Sequence, residues 1–103
     1  MSPTLRFLQK MRGRVPLYTG SNSVVTLGHF LRGFDCALNE LEYKDALFSK
    51  FQKFVEKKFS CSVAQSWDYI IEFYCGDGEA GLTTFWNLVD EYLLVETANR
   101  PVQ

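Results

Sequence analysis

Histidine occurs once in this 103-residue chain, at position 29, and cysteine three times, at positions 36, 61 and 75. No two cysteines fall in a CxxC spacing, and His29 lies far in sequence from all three, so the ligand pattern of a zinc site is missing. Three cysteines also leave one over under any disulfide pairing, and reduced, mostly buried thiols are expected. Polar residues interrupt every apolar stretch well before the roughly 20 residues that cross a bilayer, and the segment from Met1 to Arg6 has no signal-peptide apolar region. GxSxG and P-loop motifs, internal repeats and low-complexity tracts are absent as well. These absences point to a soluble, cytoplasmic protein without enzymatic activity, cofactor, metal or membrane partner.

Apolar residues make up 47% of the chain and aromatics 16%, enough buried surface to offset the ordering entropy of one domain. Their spacing is helical. Thr4 is placed to cap a short helix over Leu5 to Met11. Val15 to Asn22 carries the Pro, Gly and Asn of a loop. Ser23 is placed to cap a second helix in which Leu27, Phe30, Leu31, Phe34, Leu38 and Leu41 recur at three- and four-residue steps. A third helix is expected from Tyr43 or Lys44 to about Phe59, with Leu47, Phe48, Phe51, Phe54 and Val55 inward and Lys50, Lys53, Lys57 and Lys58 in water. Ser66 is placed to cap a fourth, whose stripe is Trp67, Ile70, Ile71 and Tyr74, although residues 69–74 are also rich in strand formers. A fifth carries Leu82, Phe85, Trp86, Val89 and Leu93, and residues 96–103 are expected to fray. Short connections between amphipathic helices predict an all-α, single-domain antiparallel bundle of about five helices over residues 1–103.

Two motifs resemble chemistry. Gly76-Asp77-Gly78-Glu79-Ala80-Gly81 matches GxGxxG, but its carboxylates would face a pyrophosphate, and the chain ends too soon for a βαβ sheet. A turn in which Asp77 caps the fifth helix accounts for the same residues. A Cys/His nucleophile pair would need His29 as its base, and a structural histidine on the second helix is the simpler reading.

Charge is where the chain is unusual. The net value is −1, yet residues 1–34 hold Arg6, Lys10, Arg12, Arg14 and Arg32 with no acid. From Phe59 to Asn99 there is no lysine or arginine, while Asp68, Glu72, Asp77, Glu79, Asp90, Glu91 and Glu96 all fall there. The scattered cations of the first segment make a poor nucleic-acid patch beside so anionic a remainder. Asp68 and Glu72 are a like-charge pair four residues apart. Asp90, Glu91 and Glu96 lie late in the fifth helix, where cations are preferred by roughly 0.3–1 kcal/mol. Tyr69 and Phe73 fall off the apolar stripe of the fourth helix. Outward aromatics among carboxylates compose a recognition surface, in which aromatics anchor and charge steers. Asp68, Tyr69, Glu72, Phe73, Asp90 and Glu91 are therefore the candidate partner-binding residues, unless the N-terminal segment covers Tyr69 and Phe73.

Three segments carry a family resemblance: Arg14-Val15-Pro16-Leu17-Tyr18-Thr19-Gly20-Ser21, His29-Phe30-Leu31-Arg32-Gly33-Phe34, and Ser66-Trp67-Asp68-Tyr69-Ile70-Ile71-Glu72-Phe73-Tyr74. Together they resemble small bacterial immunity proteins of contact-dependent growth inhibition and related polymorphic toxin systems. Val15 between Arg14 and Pro16, and Leu17 where methionine is usual, depart from that pattern. The resemblance implies a stoichiometric inhibitor, a monomer in a 1:1 complex, that binds and neutralises the C-terminal toxin domain of a large exported protein. Such toxins are frequently nucleases, whose basic cleft an acidic inhibitor can occlude. A small cytosolic adaptor or scaffold domain is the alternative.

Overall fold

Six helices and no strands make up the computed structural model, which describes residues 2–61 and 64–98. They are α1 (Pro3–Met11), α2 (Val15–Thr19), α3 (Val24–Glu40), α4 (Leu47–Lys58), α5 (Trp67–Cys75) and α6 (Glu79–Ala98). The all-α bundle expected from the apolar spacing is what forms, and residues 69–74 are helical. No helix among the described residues is long and apolar enough to cross a membrane.

The core is aromatic at its centre. Phe51 of α4, Trp67 of α5 and Phe85 of α6 are buried, with ring centroids 5.5 Å (Phe51–Trp67), 5.8 Å (Phe51–Phe85) and 4.9 Å (Trp67–Phe85) apart. Leu27 and Leu31 of α3, Ile70 and Ile71 of α5, and Leu88 and Val89 of α6 close around them. Helices α3 and α5 form the most extensive seam.

Helix boundaries depart from expectation where side chains from elsewhere in the chain intervene. The expected loop over residues 15–22 contains α2, because Pro16 in a first turn has no N–H to lose and Gly20, at φ 82°, ends the helix in the left-handed region. Helix α3 stops at Glu40, leaving Leu41 exposed. Helix α4 starts at Leu47 rather than near Tyr43. Just before it, the Asp45 carboxylate accepts the Leu47 amide at 3.0 Å and the Thr4 amide at 3.2 Å, serving the free N–H groups of two helix starts. Asp77 caps α3, not its own helix. Its carboxylate accepts the Ser23 hydroxyl (2.8 Å) and the Val25 amide (3.1 Å), while Ser23 Oγ accepts the Thr26 amide as expected of an N-cap. Helix α6 runs to Ala98, so residues 96–98 are helical, and the remainder of the expected fray lies outside the described residues. Cys36 is exposed and Cys61 and Cys75 are half-buried, against the expectation of buried thiols.

Partial burial pushes the Asp45 carboxyl up, but hydrogen bonds from Ser2 and Thr4 of the α1 start and from the Leu47 amide outweigh it and hold the group below its ordinary value. A carboxylate depressed in the folded state contributes stability above its unfolded pKa of about 3.9 and loses it as pH falls through the folded value. Stability from urea unfolding is therefore expected to decline below about pH 4, and Asp45→Asn to flatten that decline. An unchanged acid limb in the variant would exclude Asp45 as its source.

Candidate functional site

The acidic residue expected at the head of the recognition surface is not on the surface. Asp68, in the first turn of α5, has no exposed area. It enters the seam at Gly28 of α3, where a Cβ would collide with the Asp68 carboxylate. Both carboxylate oxygens are met by Arg32, one helical turn after Gly28, at 2.8 and 3.0 Å. Hydrogen bonding to Asp68 raises the already high pKa of Arg32 against the lowering effect of partial burial. Asp68 is therefore corrected from a partner contact to a buried ion pair. No cation stands near Asp68 in sequence; its partner Arg32 comes from 36 positions away.

Arg32 also organises what lies above the seam. It donates to the Ser66 hydroxyl at 2.7 Å, so this N-cap residue uses its oxygen on Arg32 rather than on its own helix. The first amide of α5, Trp67, is instead accepted by Gln52 of α4 at 2.6 Å. Arg32 further meets His29 Nδ1 at 3.1 Å. A guanidinium only donates, so Nδ1 accepts and Nε2 carries the imidazole proton toward the Tyr69 oxygen, 3.3 Å away. The buried pair thus orients Tyr69 through His29.

Tyr69 and Phe73 do face outward, as their wheel positions predict. Tyr69 is 37% exposed and Phe73 76%, with the half-buried Glu72 on the same open face of α5. Tyr74, expected in the core, is 52% exposed, lying flat on Phe59 at 5.0 Å and meeting the edge of Phe73 at 4.9 Å. Among the described residues Glu72 is in no ion pair.

Asp90 and Glu91 are half-buried and not unrelieved. Arg12 makes a bidentate contact to Asp90 at 2.7 and 2.6 Å while lying 5.1 Å from the Trp86 ring centroid. The Arg12 hydrogen bond holds the Asp90 carboxyl below its ordinary value. Lys58 meets Glu91 at 2.6 Å. The expected set therefore divides: Tyr69, Glu72 and Phe73 share one open face, Asp68 lies beneath it, and Asp90 and Glu91 are already paired on α6. His29 and Tyr74 join the face without having been foreseen. The three-residue step from His29 to Arg32 was the available signal for the first, and nothing in the spacing marked the second.

Two of the GxGxxG glycines have structural roles, Gly76 in the turn and Gly81 in packing. Gly76, at φ 88°, ends α5 in a conformation that favours glycine. A Cβ on Gly81 would strike the Gly76 carbonyl and lie 3.1 Å from a Val24 methyl. Among the described residues no group of three His, Cys, Asp or Glu side chains is placed to hold a metal ion. Comparisons with protein-family models, curated proteins and solved structures found no match.

Proposed function

We propose that this chain is an immunity protein that binds and neutralises a cognate toxin domain, expected to be a nuclease, by laying the open face of α5 across its basic cleft. The observation that carries the reading is Phe73, a phenylalanine left three-quarters exposed beside Tyr69, Tyr74 and Glu72 on a helix whose other side is core. Exposed aromatics grouped on a rigid helix supply binding area at little ordering cost. With Asp68 buried and Asp90 and Glu91 paired, Glu72 is the charge on this face available to a toxin lysine or arginine. Affinity therefore rests on the aromatics more than on net charge. The resemblance of three segments to toxin-system immunity proteins supplies the role.

Titration calorimetry against the toxin domain encoded immediately upstream, at two salt concentrations, tests this. Nanomolar binding that weakens only slightly with salt is expected. Phe73→Ala and Tyr69→Ala are each expected to weaken it about tenfold or more with the fold preserved. Absence of binding would sink the cognate-pair reading and put the adaptor role ahead. Binding indifferent to both substitutions would move the interface off α5.

A further inference from the structure

Between α4 and α6 lies a groove of about 400 Å³ lined by Phe54, Lys57, Lys58 and Val95. Its floor is apolar. Phe54 is half-buried, with its ring 5.6 Å from that of Tyr92, while Val95 is 43% exposed and the adjacent Leu94 72%. Glu91, Leu94, Val95 and Ala98 fall at helical spacing on one face of α6, so the apolar strip continues over its last two turns. The Lys58–Glu91 pair stands on the rim.

Exposed lysines run along α4 beside the groove: Lys57 lines it with Lys58, while Lys50 borders a neighbouring hollow that also holds Asp45 and Glu96. Lys50, Lys53 and Lys57 recur at three- and four-residue steps, all exposed, and none is in an ion pair among the described residues. Lys53 and Lys57 are a like-charge pair four residues apart on one helix face. The stripe spans roughly 10 Å, about two helical turns. A bare phosphate or a nucleic-acid backbone would meet the lysines but leave Leu94 and Val95 in water.

We propose that this groove docks an acidic amphipathic helical segment of a partner protein. Its apolar side chains would enter over Phe54, Leu94 and Val95, and its Asp or Glu residues would lie over Lys57 on the groove and Lys53 one turn before it. The surface is distinct from the α5 face and carries the opposite charge, so the proposal stands whether or not the toxin reading holds.

The test is an amide chemical-shift titration of the full chain with a synthetic peptide of about 14 residues, four turns, built from Glu, Leu and Phe in an amphipathic helical pattern. Comparison titrations use the same peptide with Gln for Leu and Phe, a short DNA duplex, and phosphatidylcholine–phosphatidylglycerol vesicles. Shifts confined to residues 50–58 and 91–98 are expected. Both Val95→Glu and the pair Lys53→Glu, Lys57→Glu are expected to weaken binding about tenfold or more; all three positions are exposed, and circular dichroism checks their folding. A peptide that does not bind, or that perturbs other residues, would overturn the proposal. So would equal or tighter binding of the Gln peptide, the duplex or the vesicles, since the site would then be a general polyanion or lipid surface.

Discussion

Arg32→Met is expected to destabilise the protein by about 3–5 kcal/mol, the loss that follows when one partner of a buried ion pair is removed and the other stays. Methionine keeps the stem that packs along the seam but takes both donors from Asp68, which has no exposed area. The two partners are not equivalent. Arg32 is 41% exposed and water can solvate it when its carboxylate is gone, whereas Asp68 has no such recourse. Asp68→Asn should therefore cost less, about 1–2 kcal/mol, and replacing both residues with apolar ones should recover much of the larger loss. Urea unfolding at pH 7 measures all three. For a chain of this length 3–5 kcal/mol corresponds to roughly 15–30 °C in Tm. A loss below about 1 kcal/mol for Arg32→Met would show that the pair behaves like a surface salt bridge, and that the seam is held by its apolar contacts alone.

Gly28→Ala is expected to destabilise by at least about 2 kcal/mol, although alanine is favoured over glycine in a helix by about 0.8–1 kcal/mol. The new methyl would overlap the Asp68 carboxylate and approach its Cβ to 2.7 Å, on two helix backbones that cannot both give way. The diagnostic result is the coupling. With Asp68→Gly in place both the carboxylate and the Cβ that obstruct the new methyl are gone, so the double variant should be markedly more stable than the sum of the single losses implies. Stabilisation by Gly28→Ala alone, as helix propensity by itself would give, would show that α3 and α5 separate easily at this point.

The helices and their inward faces were legible in the sequence because local periodicity determines them. Trp67, Ile70 and Ile71 declare one side of α5, and Tyr69 and Phe73 follow as the other. What could not be read was which charges meet. Asp90 and Glu91 look like unrelieved carboxylates late in a helix, but α6 continues two turns beyond them to Ala98. Their relief comes from Arg12 and Lys58, 78 and 33 positions distant. Asp68 fits a first-turn carboxylate so well that nothing marked it as buried; its burial depends on a missing side chain at Gly28. Asp77 likewise suits the start of α6 on local grounds, yet it serves α3 through a tertiary contact. Local rules located these carboxylates correctly and assigned their partners wrongly, since pairing is settled by the packing of helices that lie far apart along the chain.

The Gly28 notch has one more consequence, for which arrangement of the helices is adopted. Faces made of leucine, isoleucine and valine, such as those of α3 and α5, do not by themselves single out one offset. The carboxylate removes that freedom. One turn toward the N-terminus Asp68 would meet Val24, and one turn toward the C-terminus the stem of Arg32 itself, each a side chain where Gly28 has none. The observed offset sets Asp68 against Gly28 with the Arg32 guanidinium across from it. The pair thus sets the register of the seam, and through it the orientation in which Tyr69 and Phe73 are presented.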